Sequence, residues 1–374
     1  MSKLRSSLAS AAPAKEILRV YKGENLIVTL RRLERLVLHA RNLRWHALAR
    51  APWNATDVEA ILAPGVEIHR DGLILIDRQW SPAGVTAQFI GDAETYHRRY
   101  FERLDFLHLV DYCLTLAGID RETAVRVLDI GSGGGSSVFA ACRLLPQAEI
   151  VASDISPQLL GMLAALVESR DDLRGRVKVF CFDLHRRFFR PEVFDVVIGA
   201  AILHHLLDPR AALTNVAASL KPGGKIILIE PLEAGSLVLT AMYAGVLCAL
   251  DKLGQASGDL GRLMRALRLD IQCRLGPPVE KPWTAALDDK WVFDGPYLAE
   301  LARQLGLSRV DVYPAQPDLT NVYEGAFRSV LSDSGNGELA IPDEVWECVR
   351  EFDRGICAGL KKELCPTGII VFTR

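Results

Sequence analysis

The 374 residues are 49% hydrophobic and 24% charged, a globular composition with core enough for one large domain with embellishments or for two domains. A formal net charge of −2 supplies no broad basic surface, so nucleic acid is not an expected partner. None of the eight cysteines forms a C-x-x-C pair, and the opening MSKLRSSLASAAPAKE lacks an apolar signal core; a reduced, cytoplasmic chain is expected.

Ile17–Arg50 mixes leucines with Arg31, Arg32, Arg35, Arg41 and Arg44 at helical spacing. A packed helix with a solvated arginine face is favoured there over a membrane-surface helix. Val66–Ile76, VEIHRDGLILI, places two apolar runs around Arg70-Asp71-Gly72 and predicts a β-hairpin. Ala93–Leu116 reads as a long apolar helix carrying Tyr96 and Tyr100.

The centre of the chain is Val127–Ser137, VLDIGSGGGSS, an apolar strand that runs into glycines and then a helix near Ser136–Leu145. Such a turn lets a ligand lie against bare backbone beside unpaired helix N–H groups. A second strand, Glu149–Ala152, ends in Ser153-Asp154, and a third, Val177–Phe182, in Asp183-Leu184. Ser156 and Pro157 are start signals for the helix between them. A fourth strand opens FDVVIGAAILHHL (Phe194–Leu206), and a fifth follows a turn in LKPGGKIILIEP (Leu220–Pro231). Strands alternating with helices predict a parallel sheet with right-handed crossovers.

These five motifs, in this order, resemble the class I S-adenosylmethionine-dependent methyltransferases, in particular the small-molecule group related to ubiquinone-pathway enzymes. The resemblance covers Ala124–Pro231 well and Trp291–Arg374 loosely. It implies an α/β fold: a Rossmann-like, seven-stranded, mostly parallel sheet with an antiparallel last strand. Residues 1–121 are then a mostly helical N-terminal appendage with a hairpin, and 122–374 the methyltransferase domain. Insertions at about 232–290 and 315–366 form the substrate side. The implied cofactor is S-adenosyl-L-methionine. Asp129, Gly131, Ser132 and Gly133 are placed at its methionine part, Asp154 at the ribose, and Asp183 and Leu184 at the adenine, with Ile155 a further cofactor-binding residue. Gly199 and Ala200 flank the sulfonium, and Tyr96 and Tyr100 are candidates for the methionine end.

The uncharged run Ala234–Leu250 falls short of a transmembrane span and predicts a buried helix or the wall of an apolar pocket. Arg262 and Arg265 share a helix face; a solvated face is favoured over an anion site. The expected acceptor is a small molecule with an anionic or an apolar part: a secondary metabolite, a sugar or glycolipid, or a lipid-linked precursor. An oxygen acceptor must lose a proton, which histidine suits near neutral pH. His204 or His205 is the leading base, with the expectation that adjacent residues do not both face one pocket. Glu230 is the second candidate, and His185 and Asp288-Asp289 are weaker. No ligand spacing identifies a metal site. The alternative is a cofactor-binding cyclase or decarboxylase on the same fold, and a homodimer contact through the appendage stays open.

Overall fold

The computed structural model describes residues 55–81 and 104–374, apart from residue 335. Ile17–Arg50, Tyr96, Tyr100 and the first part of the helix expected at Ala93–Leu116 lie outside the described residues.

Helix α1 (Ala55–Ile61) leads into the expected hairpin, β1 (Ile68–Asp71) and β2 (Ile74–Asp77). Helix α2 (Leu104–Leu116) precedes β3 (Arg126–Ile130), α3 (Ser136–Leu144), β4 (Glu149–Asp154), α4 (Pro157–Ser169) and β5 (Val177–Cys181). Then come β6 (Phe194–Ala200), a 3-10 turn (Leu203–His205), α5 (Pro209–Ser219) and β7 (Leu220–Pro231). The sheet order is β1-β2-β5-β4-β3-β6-β7-β9-β8, where β8 is Arg309–Pro314 and β9 is Thr367–Thr373. β2, β5, β4, β3, β6 and β7 run parallel, and β9 is antiparallel to both β7 and β8.

Caps and buried stripes explain the helices. The Ser156 hydroxyl accepts from Leu159 N at 3.3 Å with Pro157 in the first turn of α4, whose Leu159, Leu160, Leu163, Ala164 and Val167 are buried. Asp208 caps α5 through Ala211 N, again ahead of a proline. Two apolar layers enclose the sheet: Leu128, Val197, Leu228 and Ile370 belong to one, and Val127, Val196, Ile227 and Val371 to the other. Opposite faces of each strand thus feed opposite layers, as period-two side chains must.

The sheet has nine strands, not the expected seven, because the hairpin joins it. All four residues of β2 are buried, with Ile74 opposite Val179, Leu75 opposite Phe180 and Ile76 opposite Cys181. Without β2, the apolar strand β5 would present an unpaired edge.

The insertion after β7 supplies α6 (Glu233–Lys252) and α7 (Asp259–Arg274), followed by α8 (Gly295–Gln304). Among the described residues α6 is the one helix long and apolar enough to cross a membrane. Its Met242, Tyr243, Val246 and Leu250 are buried in a core shared with α7, α9 (Val322–Asp333) and α10 (Asp343–Arg354). Arg262 and Arg265 are exposed and bond to the backbone oxygens of Ser257 and Ala256. The last helical stretch before β9 is two helices, α10 and α11 (Ala358–Glu363). The break folds Lys361 back onto Asp353, which also accepts from Tyr323 N and Glu324 N at the start of α9. One continuous helix would separate these two buried charges.

Candidate active site

The glycine turn lies at the carboxyl end of β3, in the middle of the sheet, where open α/β sheets bind ligands. Gly131 has φ +66°, and a Cβ there would stand 2.8 Å from the Ile202 side chain. Only glycine allows both the turn and this approach. Gly199, at the end of β6, is equally confined, by Ile130 and Leu228. Ser132 N donates to Ser153 O at 2.9 Å, and Gly133 N to Asp154 Oδ2 at 2.9 Å. The turn is therefore tied to the end of β4.

Asp129 is 1% exposed between β4 and β6. Among the described residues no hydrogen bond of ordinary geometry reaches either of its carboxylate oxygens, nor the Ser132 hydroxyl. Burial pushes the Asp129 carboxyl up to about 7; nearby Ser137 opposes the shift and the charge of Asp154 adds to it. Unmade hydrogen bonds of this kind carry a desolvation cost that a polar ligand can relieve. Asp154 receives Gly133 N and, at 2.8 Å, Ser156 N. Burial raises its pKa although these N–H groups pull the other way. A carboxylate accepts at about four lone-pair positions, so hydroxyl donors can join the two N–H groups. The carbonyl of Ile155 receives the indole N–H of Trp80 at 2.9 Å.

Asp183 is bound to its own turn, taking His185 N at 2.9 Å and His185 Nδ1 at 2.8 Å. That bond lowers the pKa of Asp183 and raises that of His185. Leu184 is half-buried, and its carbonyl accepts from Asn215.

Beyond Gly199 and Ala200 the backbone turns at Ala201, whose φ of +54° is left-handed. Such strain costs an alanine roughly 1–2 kcal/mol. Ala201→Gly is expected to stabilise the protein by up to about 1 kcal/mol after the unfolded-state entropy of glycine is subtracted, as measured by urea unfolding. The turn is held from β7. Glu230, with no exposed surface, accepts from Ile202 N at 3.1 Å, Leu203 N at 2.7 Å, His204 N at 3.3 Å and His204 Nδ1 at 2.5 Å. Glu230 is thus an anchor inside the protein.

The two adjacent histidines both turn toward one carboxylate, Asp289. In the 3-10 turn their ring centres are 4.1 Å apart, and Asp289 Oδ1 lies 3.5 Å from His204 Nε2 and 3.4 Å from His205 Nδ1. Asp289 comes from the insertion, whose strand-like end is bound to the sheet through Lys290 N to His204 O and Phe293 N to Pro231 O. Arg274, buried at the end of α7, sets Nη1 3.4 Å from Asp289 Oδ2 and 3.0 Å from Asp270 Oδ2. Burial works against a charge on His204, but Glu230 and Asp289 outweigh it and raise its pKa to about 9. His205 is lowered to about 4 by burial and by its charged neighbour. Burial alone would raise Asp289; His204, Arg274 and His205 reverse this and keep it ionised.

Sequence reasoning missed Trp80 and Arg274 as site residues. The only signal for Trp80 was an aromatic directly after the hairpin, and Arg274 differed from its neighbouring arginines only in falling outside their three-residue spacing.

Residues 128–226 match the methyltransferase-domain family. The chain is 37% identical over 124 residues to the ubiquinone biosynthesis O-methyltransferase of Xanthomonas euvesicatoria, covering 33% of this chain and 47% of that one. It is 28% identical over 130 residues to the ubiquinone/menaquinone biosynthesis C-methyltransferase of Syntrophotalea carbinolica, covering 35% of this chain and 52% of that one. The chain thus spans about half the length of these two relatives, and as little as 3% of a longer one. Among solved structures it is similar to the CurJ carbon methyltransferase, with a TM-score of 0.43 and 14% identity over 77% of this chain and 60% of that one. The sheet order and the glycine turn agree with that match, and residues 128–226 are similar to the methyltransferase-domain family.

Proposed function

We propose that the protein transfers the methyl group of S-adenosylmethionine to an oxygen of a small-molecule acceptor: a secondary metabolite, a sugar or glycolipid, or a lipid-linked precursor. The observation that carries this reading is the group of buried polar atoms at the glycine turn, Asp129 and the Ser132 hydroxyl, near the Asp154 carboxylate that holds Gly133 N. S-adenosylmethionine brings a methyl already activated on a sulfonium, so the chain's task is to bind, exclude water and align. Alignment supplies roughly 7–11 kcal/mol in well-oriented reactions. Asp129, Gly131, Ser132 and Gly133 take the methionine part, Asp154 and Ile155 the ribose, and Asp183 and Leu184 the adenine side. Gly199 and Ala200 leave backbone room beside the reacting centre. The acceptor approaches from the insertion, and its hydroxyl meets the histidine pair, since Glu230 is sealed inside.

Full-length protein incubated with methyl-labelled cofactor and a panel of phenolic, glycosidic and polyprenyl acceptors is expected to yield a product one methyl heavier, with the label on oxygen. Binding of cofactor with a product of unchanged mass would favour the cyclase or decarboxylase reading. Absence of cofactor binding at micromolar concentration would end both.

A further inference from the structure

We propose that His204, His205 and Asp289 form the binding site of one divalent transition-metal cation on the acceptor side of the glycine turn. The proposal rests on the methyltransferase reading and deepens it, by saying how the acceptor oxygen is held and ionised.

The nitrogen and oxygen atoms of the three side chains lie within 4.8 Å of one another, with edges of 3.4 and 3.5 Å to Asp289 Oδ1. A cation bonded to such donors at about 2.0–2.2 Å brings neighbouring ligands to about 3–3.5 Å, a length that the two edges to Asp289 already have. A plain ion pair would require one histidine; here two rings turn to the same carboxylate.

The supports of the three side chains match what a metal needs. His204 donates Nδ1–H to the buried Glu230, which fixes the ring and sets Nε2 on the side of Asp289. Metal-binding histidines are oriented by such carboxylates. Arg274 holds the far oxygen of Asp289, leaving Oδ1 toward the rings. The carbonyl of Asp288 lies 3.0 Å from His205 Nδ1 and can serve as a fourth ligand once that ring carries its proton on Nε2. Two imidazoles and a carboxylate suit zinc, manganese, iron or cobalt better than magnesium or calcium.

The site is placed to act. Ile202 packs on Gly131, and the 3-10 turn bearing both histidines begins at the next residue. The Asp289 side chain is 44% exposed, which leaves one side of the cluster open. An acceptor hydroxyl entering there joins the cation as a further ligand, and its pKa falls toward neutral. Its proton leaves to solvent, its electron pair forms the new O–C bond, and the S–C pair stays on sulfur.

The test uses full-length protein dialysed against a chelator and titrated with cobalt(II). One equivalent is expected to bind, with visible d–d absorption and without the near-ultraviolet thiolate band that the exposed Cys248 or Cys357 would produce. In His205→Gln and in Asp289→Asn the affinity is expected to fall by about a hundredfold, while S-adenosylhomocysteine binding, read by calorimetry, stays within a few-fold. That retained binding also shows that the variants fold. No cobalt binding below millimolar concentration, or equal binding by the variants, overturns the metal site and leaves the methyltransferase reading standing. Loss of S-adenosylhomocysteine binding by the wild-type protein removes the reading beneath it.

Discussion

Glu230→Ala is expected to be the most damaging single change to stability. The carboxylate has no exposed surface and satisfies three backbone N–H groups and the His204 ring at once. Its removal leaves a buried imidazolium facing a hole and frees the turn that carries both histidines. Breaking a buried pair in this way costs roughly 3–5 kcal/mol. For a chain of this size that is a fall in melting temperature of about 5–15 °C by calorimetry. Glu230→Gln keeps the volume and can still accept from part of the backbone, so its loss should be smaller. A melting temperature unchanged in Glu230→Ala would show that the turn is held by something else.

Asp129→Asn is expected to act in opposite directions on stability and on cofactor binding. The folded pKa of Asp129 is raised to about 7, against an unfolded value near 3.8. Between these values the native state binds more protons than the unfolded state, so stability falls as pH rises through the window. The contribution is fully present below pH ~4 and lost above pH ~7, an effect of roughly 4 kcal/mol at most. Asp154 shifts in the same direction and is coupled to Asp129, so the difference between wild type and variant is the quantity to measure. Urea unfolding at pH 5 and pH 8 should show the wild-type protein losing several kcal/mol more than Asp129→Asn. In contrast, S-adenosylhomocysteine affinity at pH 8 should drop at least about tenfold in the variant, the loss of one charge-assisted hydrogen bond. Equal pH slopes in the two proteins would mean that the carboxylate is already satisfied.

Much of the central sheet was legible because its signals are local. Val127–Ile130 into Gly131 and Ser156-Pro157 ahead of α4 each specify an element within a few residues. The hairpin was legible as a hairpin but not as part of the sheet. Its place depends on β2 pairing in parallel with β5, about a hundred residues further on, and no local pattern encodes that partner. The buried pair of Asp353 and Lys361 escaped notice for the same reason: each charge lies on an apparently ordinary helical stretch, and their burial follows from the turn between α10 and α11.

The same division runs through the site. The order of short motifs determined that a sharp glycine turn would close β3 beside a carboxylate ending β4, since glycine at a forced turn and a carboxylate at a strand end have direct steric and electrostatic consequences. Chain folding alone decided what the two histidines do. Side chains one residue apart in a 3-10 turn splay by about 120°, so they face a common partner only when one arrives between them. Asp289 does so because the insertion is bound to the sheet at His204 and Pro231. Glu230, readable as a base from its place at a strand end, became an anchor because the turn after β6 closes over it and fills its lone pairs with N–H groups.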